Sequence, residues 1–166
     1  MAMQRRQLLA LCATAALAQT VHAAPALPAA PTLPLPPALP VARALPDELG
    51  LALAARQPLL VMVSLEGCPY CRVARENYLL PLRERSGLAV VQVDMRSKQM
   101  LKNFQGSMQT HDEWIRSLQV RVAPSILFFG RAGVELVERM TGGYIADFYG
   151  AYLDERLRQA RALLAA

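Results

Sequence analysis

The sequence predicts an α/β domain in which a mixed central sheet is covered by helices on both faces. A continuous valine-rich apolar run at Leu59–Leu65 reads as a buried central strand, and the apolar stretches Leu88–Val93 and Ser125–Phe129 read as further strands. Stretches with apolar residues at helical spacing alternate with them. Two cysteines, Cys68 and Cys71, follow the first run directly, and Pro69 between them occupies the favoured first position of a helix. The order these signals give is α-β-α-β-α-β-β-α.

Taken in order, the N-terminus is read as an export signal. Arg5 and Arg6 precede an eleven-residue run from Leu8 to Ala18, and Val21 and Ala23 are the small residues of a cleavage site after Ala23. A membrane anchor would need about 20 apolar residues. The arginine pair also admits a twin-arginine route, which is left open against ordinary export. Cys12 follows Leu11, where lipoprotein cleavage wants a small residue, so no lipidation is expected. Residues 24–45 are Pro, Ala and Leu with almost no charge and read as a semi-rigid linker. The folded domain is expected over 46–166.

Within it, Asp47 and Glu48 place acid at the start of a helix running to about Gln57. The helix opened by Pro69 extends to about Arg85, with Pro81 forcing a kink or break. Thr110-x-x-Glu113 is a capping box that starts a short helix inside an otherwise polar insertion, residues 94–119. Gly130-Arg131-Ala132-Gly133 turns a hairpin between Ser125–Phe129 and Val134–Met140. Ile145, Phe148, Tyr149, Tyr152, Leu153 and Leu157 mark a long C-terminal helix.

Composition excludes several functions. Removing residues 1–23 takes away two arginines and no acid, so the formal charge falls from +5 to +3. The remaining basic residues are scattered among acids, which argues against nucleic-acid binding. Cys68 and Cys71 are then the only cysteines, in a compartment where disulfides persist. A bridge between residues three apart removes little chain entropy, so the pair serves chemistry rather than stability. The strand aims Cys68 at the surface, and the free amides and dipole of the helix start stabilise a thiolate there. Cys68 is the expected attacking sulfur. Cys71, one turn inside the helix, would resolve the mixed disulfide. Pro69 and Tyr70 would tune the site by setting how many amides reach the Cys68 sulfur.

A Cys-x-x-Cys in this setting, followed by Val120-Arg121-Val122-Ala123-Pro124-Ser125 and an apolar strand, resembles the thioredoxin superfamily over residues 47 to about 160. The resemblance implies a thioredoxin fold with a short helical insertion before the cis-proline strand. It implies that Pro124 is cis and that Ala123 pairs with an extended substrate strand. It also implies a disulfide alternating between Cys68 and Cys71. Gly67-Cys68-Pro69-Tyr70-Cys71, the Val91-to-Arg96 segment and Phe104-Gln105-Gly106 are similar to periplasmic thioredoxin-like proteins of the SoxW type. That likeness implies a periplasmic reductant of protein thiol/disulfide substrates, fed by a membrane electron-donor protein. A disulfide oxidant or isomerase would use the same residues. Glutaredoxins share Cys-Pro-Tyr-Cys but are shorter, without room for residues 95–119.

The sequence departs from that family in three places. Ala123 stands where SoxW-type proteins usually have Thr, and Gly67 replaces the tryptophan that commonly precedes the dithiol. Met62 occupies the position, six before Cys68, of the acid that moves protons for the resolving thiol. Glu66 is the nearest acid in sequence and is either a proton carrier or solvated surface. His111 is read as a surface residue and Trp114 as packing the insertion onto the domain. Met95, Met100 and Met108 raise a copper(I) site with the two cysteines as the main rival, although their spacing fits no ligand pattern. No metal and no bound cofactor are expected. No dimerisation segment is visible, so a monomer is expected.

Overall fold

Residues 38–143 and 146–166 are described by the structure, a computed structural model. The signal peptide expected at 1–23 and residues 24–37 of the expected linker lie outside the described residues. The elements are α1 (Leu45–Ala54), β1 (Leu59–Ser64), α2 (Pro69–Val73), α3 (Leu80–Ser86), β2 (Val90–Asp94), β3 (Met100–Lys102), β4 (Met108–Thr110), α4 (His111–Ser117), β5 (Ser125–Phe129), β6 (Met140–Thr141) and α5 (Ala146–Ala165). The main sheet runs β2-β1-β5-β6, with β1 parallel to β2 and antiparallel to β5, and β5 antiparallel to β6. This is the mixed α/β sheet of the thioredoxin fold.

Every residue of β1 is buried, because alternate side chains serve two different cores. Leu60 and Met62 join Val90, Ile126 and Phe128 under α2, α3 and α5. Val61 and Val63 join Val91, Val93, Leu127 and Phe129 under α1 and α4. On α5 the buried stripe is Tyr149, Leu153, Leu157, Ala160 and Leu164. It is narrower than expected, since Phe148 and Tyr152 stand exposed.

The domain begins earlier than the sequence pattern suggests. Leu39 and Ala42 are buried, and Val41 bridges Gln92 in parallel at the outer edge of β2. Gln92 N–H donates to Pro40 O at 2.8 Å and Ala42 N–H to Gln92 O at 2.9 Å. A proline is tolerated there because this edge uses only its carbonyl. The expected boundary at 45/46 therefore falls inside packed structure, and residues 39–44 belong to the domain.

Pro81 does not simply break its helix. Ala74–Leu79 forms a π-helical turn between α2 and α3, with Leu80 N–H donating to Arg75 O five residues back. Proline without an amide sits just after it, where the ladder is already interrupted.

The insertion contains a two-stranded hairpin, β3–β4, that the sequence pattern did not suggest, as well as the expected helix. Its turn is built on Asn103, whose Oδ1 accepts from Gln105 N–H and Ser107 N–H. The capping box of α4 is present in full: Thr110 Oγ1 accepts from Glu113 N–H at 3.2 Å, and Glu113 Oε2 accepts from Thr110 N–H at 2.8 Å. These bonds hold the Glu113 carboxyl below its ordinary pKa. Thr110→Ala is expected to cost about 1 kcal/mol, read as a lowered urea midpoint.

His111, expected at the surface, is 0% exposed. Its Nδ1 accepts from Asp94 N–H at 3.1 Å, so Nε2 carries the hydrogen and donates to Ala42 O at 3.0 Å. Trp114 packs the insertion onto the domain as expected, in an aromatic cluster with Phe104 and Phe129.

The second half of the expected hairpin is also shorter than Val134–Met140. Phe129 bridges Glu135, yet Ile126 pairs with Met140, so two extra residues bulge from the second strand. The bulge carries the Glu135–Arg139 ion pair, and Arg139 Nη1 donates to Leu118 O at 2.8 Å.

Candidate active site

Pro69 at the first helical position fixes the turn out of β1, so that Cys68 becomes the N-cap of α2 with extended backbone. Cys71 N–H donates to Cys68 Sγ at 3.2 Å. That amide is one of the orphan donors of a helix start, and here it serves the sulfur. Gly67 precedes Cys68 with φ +73°, a left-handed turn that glycine adopts at little cost. From the far side, the Cys68 thiol donates to Ala123 O at 4.0 Å, and the Ala123–Pro124 peptide is cis. Residues 55 apart in sequence are thus brought against one sulfur.

The two cysteines are free thiols with different surroundings. Cys68 is half-buried at a cleft of about 440 Å³ that Ser64, Glu66, Gly67, Cys71, Arg72 and Arg75 also line. Cys71 is 1% exposed beneath it. Burial pushes the Cys71 thiol up to about 11, and the Cys68 thiol adds to this. The Leu65 backbone and the Ser64 hydroxyl act in the opposite direction. Iodoacetamide at neutral pH is therefore expected to modify Cys68 and spare Cys71, with peptide mapping as the check. The linked stability effect has a definite sign. The fold holds the Cys71 proton more tightly than the unfolded chain, so the contribution is complete below the ordinary value of 9.0 and is lost as pH rises through about 11. Cys71→Ala should flatten that alkaline decline in thermal melts.

The other expected site residues fall as follows. Tyr70 is 62% exposed at the cleft mouth, and its ring lies over Gly143: a Cβ there would come within 2.7 Å of it. Glu66 is exposed on the rim. Met62 is buried in the core below Cys71. Met100 and Met108 are exposed on the β3–β4 hairpin, and Met95 packs on the α1–α4 face. The structure does not gather these methionines around the dithiol. Among the described residues no cluster of three His, Cys, Asp or Glu could hold a metal ion. Sequence pattern gave no role to Ser64, which lines the cleft, to its register partner Asp94 on β2, or to Gly143 beside the Tyr70 ring.

A Cys-x-x-Cys at a strand-to-helix turn, set against a cis-proline loop, defines a dithiol domain of the thioredoxin fold. The chain belongs to the thioredoxin-like domain family, whose model matches residues 45–157. Among solved structures it is similar to an oxidoreductase named DsbH, at 19% identity and a TM-score of 0.50, over 76% of this chain and 90% of that one. A thioredoxin from Thermus thermophilus is 25% identical with a TM-score of 0.47, over 74% and 87% of the two chains. The reduced periplasmic thioredoxin SoxS from Paracoccus pantotrophus is 20% identical with a TM-score of 0.42, over 63% and 99%. No curated protein matches the chain.

Proposed function

We propose that the protein is an exported thiol–disulfide oxidoreductase that exchanges a Cys68–Cys71 dithiol/disulfide with protein substrates. One observation carries this reading: a half-exposed sulfur at a helix start, supported by the Cys71 amide, with a second sulfur buried directly behind it. In the reducing direction the Cys68 thiolate attacks a substrate disulfide, forming a mixed disulfide and expelling one substrate thiolate. Cys71 then attacks Cys68, so the Cys68–Cys71 bond forms, the mixed disulfide breaks, and the second substrate thiolate leaves. Two electrons pass from the dithiol to the substrate, and no bound cofactor is required. Ala123 and the Pro124 loop offer backbone to an extended substrate strand beside Cys68. Pro69 and Tyr70 tune the helix start, and Glu66 places a negative charge at the rim.

The SoxW-type motifs favour a periplasmic reductant supplied by a membrane electron-donor protein, with the chain acting as a monomer. Among the described residues no helix is long and apolar enough to cross a membrane. The deciding experiment is the reduction potential of the pair, equilibrated against glutathione, with Cys68→Ser as the blank. A value near about −270 mV supports the reductant, and one near about −120 mV makes the protein a disulfide donor. Absence of reversible exchange would overturn the oxidoreductase reading.

A further inference from the structure

We propose that Ser64 and Asp94 form the proton route of Cys71, with Ser64 in contact with the sulfur and Asp94 the acceptor behind it. The inference rests on the exchange reaction proposed above, in which Cys71 must ionise before it can attack. A thiol 1% exposed and pushed up to about 11 is scarcely ionised at neutral pH unless a base stands within reach.

Few groups near it can serve. Leu60 and Met62 below Cys71 are apolar. Tyr149, on α5, is held protonated by its burial and by the Cys71 charge. Cys68 is already bonded to substrate at this stage. The Ser64 hydroxyl lies against the Cys71 sulfur and favours its thiolate. Ser64 is 3% exposed and ends β1, and its register partner on the parallel strand β2 is Asp94. The two side chains therefore leave the same sheet face, one strand spacing of about 4.8 Å apart.

Asp94 is held in place. Gln92 Nε2 donates to its Oδ1 at 2.8 Å, and Arg75 Nη1, from the helical turn above, donates to Gln92 Oε1 at 3.1 Å. Behind it, Asp94 N–H is bound by His111 of α4. The charged groups around this route are Glu66 and Arg96, which line the adjoining cleft with Asp94, and Arg72 and Arg75 from the helix.

In the reducing direction the proton leaves Cys71 Sγ for Ser64 Oγ while the Ser64 proton passes to the Asp94 carboxylate, directly or through one water of the cleft. The Cys71 thiolate displaces the substrate from Cys68. The departing substrate thiolate takes up a proton, and Asp94 returns its own to the cleft. The oxidising direction runs the same transfers in reverse.

The test uses the full chain with Asp94→Asn, Asp94→Glu, Ser64→Ala and Glu66→Gln. Two rates are read: iodoacetamide modification of Cys68, and release of a fluorescent peptide from a preformed mixed disulfide across the neutral to alkaline range. Asp94→Asn and Ser64→Ala are expected to slow release roughly ten- to a hundredfold at neutral pH, to move its pH midpoint upward, and to converge on wild type at alkaline pH. Asp94→Glu should restore part of the neutral rate, and Cys68 modification should change little. A purely structural role would not shift the pH midpoint. Should Asp94→Asn fail to fold, Ser64→Ala alone gives the answer. An unchanged pH profile in both variants overturns the proposal, as does a shift in Glu66→Gln alone, which would make Glu66 the carrier. A wild-type protein that releases no peptide would instead sink the exchange reaction itself.

Discussion

Cys71→Ser is expected to hold its substrates on Cys68. The resolving thiol is delivered by the helix at a fixed position, and effective molarities of such intramolecular groups reach about 10⁵ M or more. Its loss should lengthen the mixed-disulfide lifetime at least roughly a thousandfold. Non-reducing electrophoresis after incubation with a disulfide-containing protein should show a one-to-one adduct, and mass spectrometry should place it on Cys68. Cys68→Ser should form none, because Cys71 lies buried beneath Cys68. An adduct that dissolves as quickly in Cys71→Ser as in wild type would show that Cys71 does not resolve it.

The largest stability effect outside the dithiol is expected at His111. Alanine there leaves two buried partners unsatisfied, Asp94 N–H and Ala42 O, and opens a cavity between the edge of β2 and α4. Together these should cost about 3–5 kcal/mol, measured as a drop in urea midpoint with unchanged slope. A loss under about 1 kcal/mol would mean that the histidine is not the clasp its bonds describe. The effect should exceed that of Thr110→Ala, whose bonds are made at the surface.

The contrast between these two neighbours shows what the sequence makes legible. The capping box of Thr110 and Glu113 spans three residues and could be read directly. His111 bonds to residues 17 and 69 positions away, so no local pattern announces it. The same holds at the site. Cys68, Cys71, Pro69 and the Ala123–Pro124 loop carry their proposed chemistry in residue type and spacing, so the sequence alone could name them. Ser64 and Asp94 meet only through the register of parallel strands separated by two helices and a turn. The buried strands β1 and β5 were clear because both faces are covered and the apolar run is continuous. Residues 39–44 were hidden by a proline-rich composition that describes a spacer equally well, although Leu39 and Ala42 there are buried. The β3–β4 hairpin is too short and polar for periodicity to register.

The π-helical turn after the dithiol also sets the rotational phase of the helix. In an unbroken α-helix, Leu80 would stand on the side opposite Cys71, nine positions on at about 100° each. Both are buried. The one surplus residue within Ala74–Leu79 turns the far half of the helix back toward the sheet, so the end that carries the sulfur and the end that anchors the helix share one face. Orientation at the dithiol is thereby uncoupled from packing at the anchor. Deleting a single residue from this turn would force the helix to bury either Cys71 or Leu80, but not both.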